Sequence, residues 1–284
     1  MNNNKQSTRK LHLIRKKLWD ASLKKFQFFI NKKTNLISKK YTEIRNCPAC
    51  INKTNNFILN KNGGTYVECK KCKMIFLNPI LTDKNLEKHY RKNHDIRSKI
   101  SLKDIKFFNF TYSRGLDLIN KYFDKPGNIL DVGCSAGMFL DLAKKSRWKT
   151  YGLELNSKEA RLGSINGHNI EQKILKDSNF NIKFDVITFW DSFEHIKDGL
   201  KCLKDCKKIL KNGGIVFLQC PSRDALALKI LQEKCNMLDG LEHVNIYGKK
   251  ILLKLFERVN AKILDFETII SEIGIINNYL NFDD

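Results

Sequence analysis

From Asn128 onward, short apolar runs alternate with longer amphipathic stretches. Ile129-Leu130 leads into Asp131-Val132, small residues fill Gly133 to Gly137, and Met138-Phe139-Leu140 opens a helical pattern. An apolar run closed by an acid, then small residues, then helical spacing reads as strand, tight turn and helix start. Tyr151-Gly152-Leu153 is the next apolar segment, with Glu154 at its tip. Phe184 to Trp190 has the continuous apolar character of a strand buried on both faces. Between Leu200 and Leu210, apolar or Cys residues stand at 200, 202, 203, 206, 209 and 210, which places them on one helical face. Lys211-Asn212-Gly213-Gly214 ends that helix, and Ile215 to Leu218 reads as the following strand. A helix over Ile251 to Phe256 and a strand over Ala261 to Phe266 complete the pattern. Strands alternating with helices predict an α/β fold.

The glycine turn carries the first chemical signal. Residues without bulk let backbone N–H groups approach a bound ligand. An acid about 20 residues further on, at the tip of the second strand, suits a pair of ribose hydroxyls. A dinucleotide fingerprint needs glycine at the first, third and sixth turn positions, and here these are Gly133, Ser135 and Met138. Two of three fail, which argues against a nicotinamide or flavin dinucleotide. An α/β domain with an incidental glycine turn remains the plain alternative.

With Asp131 two residues before Gly133 and Gly137 closing the turn, the segment resembles motif I of the class I S-adenosylmethionine-dependent methyltransferases. Ser135 stands where that motif has its middle glycine. Phe184-Asp185-Val186-Ile187, the following Asp191-Ser192-Phe193-Glu194-His195-Ile196, the Lys211–Gly214 corner and Leu241-Glu242-His243 resemble that family's later motifs, in order. The resemblance implies a Rossmann-like, doubly wound sheet of seven strands, the last antiparallel. It implies S-adenosylmethionine as cofactor, with the turn (Gly133, Cys134, Ser135, Gly137) wrapping its methionine end and Asp131 near its amino-acid portion. Glu154 would hold the ribose hydroxyls. Leu155, Trp190, Asp191 and Ser192 would be further neighbours of the cofactor. The family's adenine-contacting acid would fall between Gln172 and Asp177, a stretch too short for the resemblance to place it.

The chain has nine cysteines. Four are spaced as Cys47-x2-Cys50, eighteen residues, then Cys69-x2-Cys72. This spacing fits a four-thiolate zinc ribbon, with a C-x-x-C at the tip of each of two hairpins. The metal would replace a core that so short a segment cannot build. Ile51 and Lys73 follow the pairs, where such knuckles usually carry glycine. A redox pair or scattered core cysteines are the competing reading. Together with Met74 to Pro79 and Leu86 to Tyr90, the segment resembles an arrangement in which a ribbon precedes a helix and a methyltransferase domain. That subfamily is common in bacterial pathways for surface sugars and other small molecules. Cys202, Cys206 and Cys220 fall in apolar helix or strand contexts and read as core.

These boundaries predict an extension over 1–42, a zinc ribbon and linker helix over 43–90, and a methyltransferase domain over 91–284. Net charge is +22, and residues 1–40 carry twelve Lys or Arg against Asp20 alone. Leu11, Ile14, Leu18, Ala21 and the Phe26–Ile30 cluster fit one side of a basic helix. A solvated, disordered extension, a helix on an anionic membrane surface and an RNA-binding arm are all consistent with this composition. Free thiols with zinc-type spacing, no secretory apolar region and no run of about 18–20 apolar residues predict a cytoplasmic protein.

A sulfonium methyl is a strong electrophile, so alignment is the main catalytic demand, with a base to take the acceptor's proton. His195 follows the fourth strand, and His243 lies on the loop after the fifth. The resemblance places both near the acceptor, where either would serve as base near neutral pH. Each also has a structural reading, His195 as a helix cap and His243 as a loop anchor. Three functions stand from sequence. The leading one methylates a small molecule, a sugar or nucleotide-sugar in particular. The second methylates RNA, gripping it with the ribbon and basic arm. The third is a non-catalytic cofactor-binding scaffold.

Overall fold

The computed structural model of the chain describes residues 23–24, 26–93 and 105–268. The chain divides into two compact units. One takes Leu86–Phe193 and Lys201–Cys220. The other takes the described residues up to Asn85, Glu194–Leu200 and the described residues from Pro221.

The first unit is built on a five-stranded sheet of β8 (Asn128–Val132), β9 (Lys149–Leu153), β10 (Asn169–Glu171), β11 (Phe184–Trp190) and β12 (Leu210–Gln219). Its order is β10-β9-β8-β11-β12, and every pairing is parallel. The chain winds outward from β8 to β10 and then returns to β11 on the other side of β8. That reversal leaves a crevice at the carboxyl ends of β8 and β11, the usual ligand position in open α/β sheets. The helices of the unit are most of α1 (Asp83–Asn93), α2 (Ile105–Asn120), α3 (Met138–Lys145), α4 (Ser157–Ile165) and most of α5 (Gly199–Ile209). Leu116 and Ile119 of α2, Ile129, Phe139, Leu140 and Ala143 of α3, Val186 and Trp190 share one core. Cys202 and Cys206 are buried as expected, whereas Cys220 is only half-buried.

Two expectations change here. The sheet has five strands among the described residues, rather than seven with an antiparallel last strand. Residues 261–268 are exposed and pair with nothing in any sheet, so Ala261–Phe266 is no strand. An apolar segment in the place of the family's C-terminal strands suggested one, but a strand exists only where a neighbour takes its hydrogen bonds. Strand β12 also starts earlier than Ile215. Its register against β11 slips between Phe184 and Val186, so the glycine corner forms an irregularity within the strand.

The second unit holds an antiparallel sheet ordered β13-β6-β5-β4. Its strands are β4 (Asn55–Lys61), β5 (Gly64–Cys69), β6 (Ile75–Leu77) and, from far along the chain, β13 (Asn245–Ile246). Two-stranded pieces accompany it: β1 (Ile30–Asn31) with β2 (Leu36–Ile37), and β3 (Thr42–Glu43) with β7 (Ile80–Leu81). Tyr66, Leu77 and Ile80 pack with Ala227, Leu228 and Leu231 of α6 (Leu226–Leu231) and with Cys235, Leu238, Val244 and Ile246. Helix α7 (Lys249–Glu257) buries Ile251, Leu252 and Leu255.

Arg45 ties the three chain segments of this unit together. Its guanidinium donates to the carbonyls of Leu77 (3.0 Å), Lys197 (2.8 Å) and Val244 (2.6 Å), and to Asn245 Oδ1 (3.0 Å). Desolvation lowers its pKa to about 10. Of the basic extension, Phe26 and Phe29 are buried, with ring centroids 5.1 Å apart, and a 3-10 turn over Gln27–Phe29 replaces the helix expected there. The readings made for residues 1–22 lie outside the described residues.

Candidate active site

Strand β8 delivers Asp131 to its carboxyl end, beside Gly152 of β9 and Thr188 of β11. Asp131 is buried and accepts a 2.8 Å hydrogen bond from Thr188 Oγ1. Burial raises its pKa to about 7, against the Thr188 bond, and the Glu154 charge adds to the rise.

The turn then follows the path read from sequence. Gly133 (φ +79°), Ser135 (φ +51°) and Gly137 (φ +89°) are left-handed. A Cβ on Gly133 would lie 2.9 Å from Ser192 Cβ, so glycine is required there on two counts. The Gly133 and Cys134 amides donate to Leu153 O at 2.8 and 3.1 Å, fixing the turn against β9. Ser192 is buried, and its hydroxyl bonds Val132 O at 2.6 Å.

Glu154 is where the turn and the second strand meet. Its Oε2 accepts from the Ser135 amide at 2.9 Å and its Oε1 from the Asn156 amide at 2.8 Å. These two bonds fix the direction of the carboxylate at the tip of the strand. Asn156 caps α4 by accepting from the Lys158 and Glu159 amides. Buried Glu159 accepts 2.7 Å from Ser135 Oγ. Ser135 thus bridges two carboxylates, which offsets the cost of a non-glycine residue in a left-handed conformation. Sequence reading missed Glu159, although a serine in a glycine position was a sign that some partner held it.

The other expected neighbours are placed as follows. The Cys134 side chain turns inward, so that a Cβ on Gly152 would lie 2.5 Å from its sulfur; only its backbone belongs to the turn. Trp190 packs among Tyr112, Phe139 and Phe217, with centroids 4.8, 4.9 and 4.7 Å away. Its indole N–H is buried and meets no acceptor among the described residues. Asp191 is left-handed (φ +46°), with Gln219 Nε2 3.4 Å from both carboxylate oxygens. The Leu155 carbonyl accepts from Gln172 Nε2 at 2.9 Å. The donors, the acid at the strand tip and the glycine cradle fit a ribose-bearing cofactor.

In the second unit, His195 and His243 come together, ring centroids 5.0 Å apart. Glu194 is fully buried, with Oε1 3.7 Å from His195 Nε2 and 3.9 Å from His243 Nε2. The His243 Nδ1 bonds Met237 O at 3.0 Å. Its pKa is raised; desolvation pulls down, but the Asp239 and Glu194 charges outweigh it.

Cys47, Cys50, Cys69 and Cys72 also converge, all four sulfurs within 4.8 Å of one another. Cys47 Sγ lies 3.4 Å from Cys72 Sγ, and Cys50 Sγ 3.5 Å from Cys69 Sγ. Sulfurs about 2.3 Å from a tetrahedral centre stand about 3.8 Å apart, so number, chemistry and spacing fit zinc. The two knuckles match: Ile51 N bonds Cys47 O, Lys73 N bonds Cys69 O, and both residues are left-handed (φ +63° and +65°).

A parallel sheet in this order, with a glycine turn after its first strand and an acid at the tip of its second, has the class I methyltransferase architecture. Residues 107–265 match the methyltransferase domain family, and the chain belongs to it. A ubiquinone biosynthesis O-methyltransferase of Haemophilus ducreyi is 26% identical over 136 residues, 44% of this chain and 55% of that protein. Its counterpart from Albidiferax ferrireducens is 26% identical over 118 residues, 38% and 47% of the two chains. The chain thus spans about half the length of these curated relatives. Among solved structures, the plantazolicin methyltransferase BpumL in complex with SAH is similar in fold. The TM-score is 0.52 at 18% identity, over 69% of this chain and 86% of that one.

Proposed function

We propose that the protein is an S-adenosylmethionine-dependent methyltransferase acting on a small acceptor, a sugar or nucleotide-sugar in particular. The observation that carries the cofactor reading is Glu154, oriented by the Ser135 and Asn156 amides at the mouth of a glycine cradle. Gly133, Ser135 and Gly137 wrap the methionine portion, and Asp131 lies toward its ammonium. Glu154 takes the ribose hydroxyls, while Leu155, Asp191, Ser192 and the Trp190 indole flank the rest. The bound cofactor supplies an electrophilic methyl on a sulfonium. The chain's part is to hold the acceptor in line with that methyl, exclude water and remove a proton. His195 and His243 serve that last task, each able to take a proton from a hydroxyl or amine at Nε2, with Glu194 facing the cation that results. The four cysteines hold a structural zinc that closes the knuckles.

The test is transfer of a tritiated methyl group from S-adenosylmethionine to a panel of nucleotide-sugars, free sugars, phenols and RNA. Labelling of a small acceptor, lost in a His195→Gln/His243→Gln double variant, supports the reading. Labelling of RNA alone would overturn the choice of acceptor, and no labelling of any class would overturn the reading as a whole.

A further inference from the structure

We propose that Asp239 is a positioning residue for His243, its buried carboxylate fixing the 239–243 loop and stabilising the imidazolium formed when Nε2 takes a proton. The proposal rests on His243 acting in the reaction proposed above, but its decisive readout needs no turnover.

The loop is organised around this one carboxylate. Asp239 is 4% exposed, yet its Oδ1 accepts the amides of Leu241 at 2.7 Å, Glu242 at 3.0 Å and His243 at 3.2 Å. Its Oδ2 also lies 3.2 Å from the His243 amide. Gly240 makes the reversal possible. It is left-handed (φ +82°), and a Cβ there would fall 1.8 Å from Lys61 O. Tyr66 braces the far side, its hydroxyl donating to His243 O at 2.9 Å and accepting from the Gly240 amide at 3.2 Å. A loop held at this many points does more than connect helix α6 to β13.

The imidazole is fixed in direction as well as place. Met237 O accepts from Nδ1, so that nitrogen keeps its proton and Nε2 is the one that exchanges. A carboxylate then stands off each end of the ring: Asp239 Oδ2 3.9 Å from Nδ1, and Glu194 Oε1 3.9 Å from Nε2. Glu242 adds a third negative group from the same loop. Among the described residues, the His195 ring also packs against it, and the Tyr66 hydroxyl bonds the His243 carbonyl. In the step proposed, the acceptor's O–H or N–H bond breaks, an N–H bond forms at Nε2, and the positive charge arises between two buried carboxylates. Asp239 contacts the acceptor in no part of this scheme; it acts through His243.

The test is a histidine-labelled NMR titration of the full chain without cofactor, with the His243 signal assigned by its loss in His243→Gln. Asp239→Asn keeps an oxygen for the loop amides and removes only the charge. The expected result is a His243 midpoint lower by on the order of one pH unit in Asp239→Asn, with an unchanged amide spectrum elsewhere. An unchanged midpoint with the loop intact would reduce Asp239 to a structural role and overturn the proposal. Should Asp239→Asn not fold, Asp239→Glu decides: a His243 midpoint displaced from the wild type with the loop amides unchanged supports the proposal, and an identical midpoint overturns it. Where turnover is measured, the kcat–pH limb moves with that midpoint while KM for the cofactor stays, and Asp239→Glu restores part of the shift. If methyl transfer fails while the titration behaves as expected, the reaction assignment is wrong and the positioning inference stands.

Discussion

The Ser135 amide lies 2.9 Å from Glu154 Oε2, joining the glycine turn after the first strand of the sheet to the acid at the tip of the second. The bond orients a carboxylate before any ligand arrives, so binding need not order it. It also explains the side chain at 135, whose hydroxyl reaches Glu159 at 2.7 Å. Replacing Ser135 by Gly relieves the left-handed backbone and should leave thermal stability within about 1 kcal/mol of the wild type. Ser135→Val keeps no hydroxyl and places a β-branched residue at φ +51°, which should cost about 1–3 kcal/mol in chemical denaturation. Equal stability of the two variants would contradict this account of the turn.

Asp131 gives a pH dependence with a definite sign. Its pKa is about 7 in the free protein, because burial and Glu154 disfavour the charged form more than Thr188 favours it. A cofactor with a nearby ammonium favours the ionised carboxylate, so binding releases a proton while pH lies below about 7. Affinity for S-adenosylmethionine should therefore rise from pH 5.5 toward about pH 7.5 and then level. In the free protein the same group opposes folding increasingly as pH climbs from the ordinary carboxylate range through about 7. Asp131→Asn should flatten the rise in affinity. A profile of the same slope in that variant would assign the dependence to another group.

Much of this was legible in the chain, for a physical reason. Asp131, the glycine turn and Glu154 are local: each is set by residues adjacent in sequence, and the strand–turn–helix pattern places them without knowledge of the rest. The C-x-x-C pairs are local in the same sense. Arg45 was not legible, because its partners lie far along the chain, Val244 among them. The amides that Asp239 holds are local, at 241–243, but the loop is braced from far along the chain by Lys61 and Tyr66. The misread strand at Ala261–Phe266 has the same origin, since an apolar segment shows what could be buried but not whether a partner strand is there.

The knuckles test the metal reading. Purified from zinc-containing medium, the protein should carry one zinc per chain at Cys47, Cys50, Cys69 and Cys72, and a strong chelator should lower its melting temperature. Cys69→Ser should reproduce that loss without chelator. Ile51→Gly removes a β-branched residue from φ +63° and should raise stability by about 1 kcal/mol at saturating zinc. Metal content by elemental analysis near zero, with an unshifted melting curve, would contradict the zinc site.

Arg45 is the clasp of its unit. Arg45→Leu leaves the carbonyls of Leu77, Lys197 and Val244 without this donor. The expected loss is about 3–5 kcal/mol, read as a lowered urea midpoint. Arg45→Lys presents one ammonium in place of a planar fork and should recover only part of it. A midpoint within experimental error of the wild type in Arg45→Leu would show that these bonds are replaced by water at no cost.

The most direct test of the central claim is calorimetric titration of zinc-replete protein with S-adenosylmethionine, beside Glu154→Ala. The account predicts one site per chain with a dissociation constant on the order of micromolar, weakened at least about tenfold in the variant, as expected when charge-assisted hydrogen bonds are lost. Binding equally tight in Glu154→Ala, or no binding by folded wild-type protein, would contradict it.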